Sequence, residues 1–323
     1  MKINYKKIII GTVVSIFIIV ILFRNLDFEK LEEVDLSINY FLLFLAFLLS
    51  ITATFFRSLR FKISLKNEIS LGNILPKTLF YNFYTRFFPG GIGELSFVYM
   101  LRKSVERGSV RSVNSLMITR LYDLLTISIF LFAGFGFNQL NTNETNVYLM
   151  FFVVIAVLFG CVILFLDRII SLFEKIFRKS KSKIGKRIHL LVDELKSESL
   201  HNKKNKYLMF GYSVLFWSIN YLMVYVFCHS INMQISYFDA IIVSSFSIIT
   251  GLIPINTLGG FGYKEGGLTL ALIFIGFAMQ DAIVYGFLIH IVSLLIALLG
   301  AILGLLINLI NKRGIDEKNK ITT

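Results

Sequence analysis

Long apolar runs alternate with short polar stretches along the chain, and the lengths of those runs set its class. A bilayer core takes about 20 mostly apolar residues per helix. Runs of that kind predict six full spans, over about 8–23, 38–56, 113–137, 147–166, 207–231 and 282–310. Two further apolar regions, about 74–101 and about 239–278, are too interrupted to cross as single helices. The first is broken by Phe88-Pro89-Gly90-Gly91-Ile92-Gly93-Glu94. The second is broken by Ile253-Pro254-Ile255-Asn256-Thr257-Leu258-Gly259-Gly260-Phe261-Gly262-Tyr263-Lys264-Glu265. Proline removes a backbone donor and glycine permits unusual dihedrals, so the helix should stop in both places. Broken backbone at membrane depth survives only where protein or water satisfies it. Each region therefore reads as a re-entrant helical hairpin, and the fold class as an all-α polytopic membrane protein.

The charges between the runs orient them. Lys2, Lys6 and Lys7 precede the first run, while Asp27, Glu29, Glu32, Glu33 and Asp35 follow it. Arg57, Arg60, Lys62 and Lys66 follow the second, and Arg102, Lys103, Arg107 and Arg111 precede the third. The segment from Asn138 to Glu144 carries no Lys or Arg, the loop 167–206 is strongly basic, and Lys312 and Arg313 close the last run. Lys and Arg accumulate on the cytoplasmic side, which predicts a cell-membrane protein with both termini in the cytoplasm. The first run resembles a signal peptide, but no small-x-small cleavage site follows it, so it reads as an uncleaved span.

The two interruptions correspond. Gly90-Gly91-Ile92-Gly93 leads to Glu94, and Gly259-Gly260-Phe261-Gly262 leads to Glu265, with 169 positions between the glycine clusters. The first hairpin enters from the inside and the second from the outside. Two inverted repeats are expected, 1–137 and 138–323, the second containing the basic loop. Paired Gly/Pro-interrupted segments in two such halves point to a transport site.

Composition narrows the class further. Of 323 residues, 56% are hydrophobic and 16% charged, against about 45–50% and 25% in soluble proteins. The formal charge of +13 would suggest nucleic acid on a soluble chain. Here the excess sits between Asp167 and Lys206 and beside membrane ends, so no nucleic-acid partner is expected. Ile176, Phe177, Ile184 and Ile188 interleave with that basic run, which suits an amphipathic helix on an anionic leaflet or a simple topology determinant. Cys161, Cys228, His189, His201, His229 and His290 show no metal spacing. With no nucleotide-binding motif and no His/Asp cluster, neither a cofactor nor enzymatic turnover is expected.

Charge inside a span needs a partner or a polar cavity. The candidates for a headgroup path are Arg86, Glu94, Arg120, Asp123, Lys264 and Glu265, with Pro89, Gly90, Gly91, Gly93, Pro254, Gly259, Gly260 and Gly262 as the backbone of the hairpin tips. Arg120 and Asp123 are three apart and share a helix face. They could neutralise each other structurally, or Arg120 could bind a lipid phosphate while Asp123 orients it. Glu94 and Glu265 should open the second half-helix of each hairpin, where the helix dipole favours a carboxylate. They could equally meet the cationic part of a headgroup or exchange a proton. Arg86 and Lys264 flank the breaks as phosphate partners, and the turn N–H groups form an anion site of their own. His290 reads as a hydrogen-bonded interior residue.

Pro89-Gly90-Gly91-Ile92-Gly93-Glu94, Arg120-Leu121-Tyr122-Asp123 and the stretch from Pro254 to Glu265 resemble the family built on the transmembrane region of lysylphosphatidylglycerol synthases, also described as flippase-like membrane proteins. In its fused members a cytoplasmic transferase makes the aminoacylated lipid and the membrane region flips it. The resemblance implies translocation of a phospholipid, aminoacyl-lipid or polyprenyl-phosphate-linked lipid, with membrane lipids as partners and room for a separate lipid-modifying transferase. Because the chain stops at Thr323, no transferase domain is expected on it. A secondary transporter of a small solute or ion is the alternative that the same inverted architecture allows.

Overall fold

The computed structural model describes residues 38–88, 91–102, 104–106, 108–142, 203–250 and 258–321. The expected spans at 8–23 and 147–166, the loop 167–206 up to its last four residues, and Pro89, Gly90 and Pro254 lie outside the described residues. Among the described residues the chain is helical throughout: α1 Tyr40–Ser64, α2 Leu71–Phe87, α3 Ile92–Leu101, α4 Gly108–Thr142, α5 Lys203–Ser230, α6 Tyr237–Thr250, α7 Tyr263–Phe274 and α8 Met279–Ile321. A short 3-10 turn, Leu258–Gly260, precedes α7. Four helices are long and apolar enough to cross a bilayer: Tyr40–Ser64, Gly108–Phe137, Lys204–Ser230 and Met279–Asn311.

Local chemistry sets the helix ends. Asn39 caps α1, its Oδ1 accepting the N–H groups of Phe41 and Leu42 at 3.1 and 3.2 Å. Ser236 and Asp239 form a reciprocal capping box at the start of α6, each accepting the other's backbone N–H, at 3.1 and 2.9 Å. Such caps satisfy donors that no helical carbonyl can reach. Within α2, Pro76 lacks the N–H that would bond the carbonyl of Gly72. The Asn311 side-chain amide donates to that carbonyl instead, at 2.9 Å, so the helix continues through its proline.

All four full-length helices outrun the expected spans. α1 runs to Ser64 rather than ending near residue 56, so Arg57, Arg60 and Lys62 are helical. α4 begins at Gly108, which brings Arg111 into its first turn, and α5 begins at Lys203, inside the expected basic loop. The apolar pattern stops at the first cation, whereas the hydrogen-bonded helix continues into the polar flank.

Contacts group the described residues into two compact units. One comprises those up to Thr52, Leu79–Leu95 and Ile219–Leu305. Its core gathers Ala46 of α1, Met223, Phe227 and Cys228 of α5, Val243 of α6, Leu268 and Leu272 of α7, and Ile289 and Ile296 of α8. The other comprises Ala53–Thr78, Ser96–Ser218 and Leu306 onward. Ile63, Ile118 and Met209 pack together there, and the Phe61 and Phe97 rings lie 4.4 Å apart. Along α8 the exposed side chains are Ile291, Leu295, Leu298, Leu299, Ile302, Leu305, Leu306 and Leu309, an apolar surface that lipid would cover.

The helices following the two breaks fall in one register. Ile92 and Tyr263, which start α3 and α7, lie 171 positions apart, as do Gly108 and Met279, which start α4 and α8. Glu94 and Glu265 share that spacing, so each is the third residue of its helix. The glycine pattern alone suggested 169; the helices themselves give 171.

The role of Asn311 is open to a double-mutant cycle. Asn311→Leu should lower stability by about 1 kcal/mol, the worth of one hydrogen bond. In a Pro76→Ala background the backbone resupplies the donor, so the same substitution should cost little. Thermal unfolding of purified protein in detergent reads both.

Candidate functional site

The second break is a turn that only glycine can build. Gly259, Gly260 and Gly262 all have positive φ, at 66, 76 and 90°. Gly262 combines its φ with a ψ of −66°, a region closed to side chains with a Cβ. Helix α7 starts immediately afterwards, and its third residue, Glu265, folds back so that Oε2 accepts the Gly262 N–H at 2.7 Å. The other carboxylate oxygen, Oε1, lies 2.6 Å from His290 Nδ1 on α8. His290 Nε2 lies 2.9 Å from the carbonyl oxygen of Gly259. A carbonyl only accepts, so Nε2 carries the hydrogen. Glu265 and His290 are both fully buried, at 0 and 1% exposure, and the Phe261 ring sits 5.0 Å from the imidazole.

Cations stand beside this pair. Lys264 is close enough to interact with both Glu265 and Arg86, and its aliphatic chain covers Gly260, where an added Cβ would come within 2.7 Å of Cε. Arg86 Nη1 donates to the carbonyl of Ser293 at 2.7 Å. The turn, α2, α7 and α8 thus bring three expected residues, Arg86, Lys264 and Glu265, to one place, with His290 as a fourth. Its partnership with Glu265 was not foreseen, because 25 residues separate them.

At the first break Gly91 has a φ of 77° and α3 follows it. Glu94 is half-buried in the first turn of α3. Gly93 lies flat against Thr85 of α2, where an added Cβ would collide with the Thr85 backbone. That close approach, rather than dihedral freedom, requires the glycine.

A separate polar cluster occupies the other unit. Arg60 is fully buried and its Nη2 lies 2.8 Å from Asp123 Oδ1. The same Nη2 donates to the Thr119 carbonyl at 2.7 Å. Asp123 Oδ1 also accepts the indole N–H of Trp217 at 2.8 Å. Arg60 Nε and Nη1 are buried without a hydrogen-bond partner, while Phe216 lies beneath the guanidinium at 5.3 Å. Around this cluster α4 is polar on its inner face: Ser112, Ser115, Thr119, Asp123 and Thr126 are all buried. Met117, Ile129 and Phe132 of the same helix are exposed. The hydroxyls of Ser112, Thr119 and Thr126 donate to their own helix, to the carbonyls of Gly108, Ser115 and Tyr122, and the Ser115 hydroxyl bonds that of Ser64.

The buried cation facing Asp123 is Arg60, and Arg120, on the same helix as Asp123, is exposed. Arg60 had been counted with the flanking cytoplasmic charge, since its partner lies 63 positions downstream. Arg111, from the same flanking charge, is buried and pairs with Glu68. The inner stripe of α4 was visible as a three- and four-residue recurrence of polar positions, a signal masked by the apolar residues between them.

Among the described residues, four bilayer-length apolar helices with ionisable residues buried inside define a multi-pass helical membrane protein. Residues 8–300 match the family model described as the lysylphosphatidylglycerol synthase TM region, and the chain belongs to that family. No curated protein and no solved structure matches the chain.

Asp123 without its cation would be a buried, uncompensated charge. Arg60→Ala should therefore cost about 3–5 kcal/mol of stability, and Arg60→Met combined with Asp123→Leu should recover most of it. Trp217 is the single tryptophan, so intrinsic fluorescence reports on this site. Asp123→Leu should shift its emission, and thermal unfolding gives the stability order.

Proposed function

We propose that this protein is a lipid flippase, moving a lipid with an anionic phosphate headgroup between leaflets while its acyl chains stay in the bilayer. The observation that carries the reading is Arg60: a fully buried guanidinium, balanced by one carboxylate, that keeps two donors unused. Unused donors cost about 1–3 kcal/mol each when buried, and a guanidinium suits phosphate oxygens. The polar inner face of α4 surrounds it with groups a headgroup can pass, and the family supports a lipid role. Arg86, Arg120 and Lys264 supply further cations, Asp123 holds Arg60 in place, and the helix starts at Glu94 and Glu265 offer N–H groups to an anion.

In this reading the two glycine-interrupted segments are re-entrant hairpins of two inverted repeats, divided near residue 137, and the cell membrane holds both termini on its cytoplasmic side. The shared register of α3 with α7 and of α4 with α8 supports the repeat. A separate transferase supplies the lipid when it is aminoacylated.

Reconstituted into liposomes, the wild type should accelerate leaflet exchange of one class among labelled anionic phospholipid, aminoacyl-phospholipid and polyprenyl phosphate. Arg60→Lys, Glu94→Gln and Arg120→Ala proteins that unfold at wild-type temperatures should each be slower by about tenfold, since Lys does not replace the planar donor set of Arg. If folded wild type exchanges none of these lipids, the flippase reading fails and uptake of small solutes becomes the activity to measure.

A further inference from the structure

The Glu265–His290 contact has only two chemically sensible forms. Since Nε2 carries a hydrogen toward the Gly259 carbonyl, the 2.6 Å contact between Nδ1 and Oε1 needs a proton of its own. Either an imidazolium donates to a carboxylate, or a carboxylic acid donates to a neutral imidazole. The two forms hold the same number of protons, and both are net neutral. Removing that proton sets two lone pairs against each other and leaves one negative charge on a fully buried pair. Buried charge and unpaired polar atoms are both costly, and a neutral imidazole has one N–H for two acceptors, so one of its contacts, to Oε1 or to the Gly259 carbonyl, has to open when the proton leaves.

That opening cannot stay local. The pair grips the glycine turn at both ends: His290 through the Gly259 carbonyl and Glu265 through the Gly262 N–H. Gly259, Gly260 and Gly262 have positive φ, a freedom that lets the turn take other conformations once these contacts are lost. Nearby charges are placed to receive the deprotonated form. On α7 itself Tyr263 and Lys264 adjoin Glu265, and Lys264 also faces Arg86 of α2. On α8, the residue one turn beyond His290, Ser293, holds Arg86 through its carbonyl. When the shared proton departs, the residual negative charge meets Lys264 rather than apolar packing alone.

We propose that Glu265 and His290 form a proton-binding site that controls the glycine turn and couples one proton to each transport cycle. The step breaks no heavy-atom bond: a proton leaves the Glu265–His290 pair for water, the pair goes from neutral to singly negative, and the imidazole gives up its hold on either Oε1 or the Gly259 carbonyl, which loosens the turn. Rebinding closes the turn. The coupling to lipid rests on the flippase reading; the proton switch does not.

Two measurements separate the two claims. Hydrogen–deuterium exchange of the peptide containing Gly259–Gly262, corrected for intrinsic exchange, should rise with pH in the wild-type protein. It should stay flat in Glu265→Gln, whose amide keeps the contacts without titrating, and thermal unfolding establishes that this variant is folded; His290→Asn serves if it is not. Equal pH dependence in wild type and a folded variant overturns the proposal, whatever lipid does. In proteoliposomes, one pH unit across the membrane should bias the leaflet distribution of the transported lipid about tenfold, the ratio that one coupled proton supplies. Lipid exchange indifferent to the gradient overturns the coupling and leaves the flippase reading standing. A turn that responds to pH in a protein exchanging no lipid sustains the proton switch and removes the flippase reading instead.

Discussion

A bilayer core offers no water to a polar group, so every broken hydrogen bond and every charge in it must find its counterpart in the chain. Much of the structure follows from this constraint, with Arg60 Nε and Nη1 standing as exceptions. Pro76 leaves a carbonyl open, and Asn311 closes it. The glycine turn ahead of α7 leaves a carbonyl and an N–H, which His290 and Glu265 take. Asp123 is buried, and Arg60 and Trp217 both reach it. Apart from Glu265, three residues from Gly262, these side chains lie far from their partners in sequence, which means that satisfying the backbone and fixing the packing are one requirement. A helix able to close its own hydrogen bonds needs no such neighbours, and α1 and α8 show what it presents instead: apolar faces for lipid.

Two of the buried polar clusters meet the constraint differently. Arg60 is held by Asp123 and the Thr119 carbonyl and keeps Nε and Nη1 without a hydrogen-bond partner. Glu265 and His290 can share one proton and be neutral together, at a desolvation cost far below that of two separate ions. The first arrangement suits holding an anion; the second suits a change of state.

Much of this was legible in the sequence, and what was not has a common cause. Among the described residues, apolar run length revealed four spans, and the Gly/Pro clusters revealed where the helices break, because both are local consequences of backbone chemistry. Glu265 and Lys264 were visible for the same reason, at fixed distances from the glycines. The ends of the helices were misplaced because hydropathy ends at Arg57 whereas hydrogen bonding continues to Ser64. Arg60 passed as flanking charge, whereas His290 is the hydrogen-bonded interior residue expected, with partners that the sequence did not name. Each owes its character to a partner on another helix, Asp123 and Glu265, and a linear pattern holds no record of which distant residues meet.

The shared register carries one further consequence. Counting back 171 positions, Glu265 falls on Glu94 and Gly262 on Gly91, but His290 falls on Thr119 and Lys264 on Gly93. The halves therefore keep the carboxylate at the start of the second helix and differ in what faces it. Thr119 holds no exchangeable proton near neutral pH, and its carbonyl already serves Arg60. Gly93 lies against Thr85, where the second half has room for a lysine. The two breaks therefore share a backbone device, a positive-φ glycine ahead of a carboxylate at the third helical position, and differ in the side chains set around it.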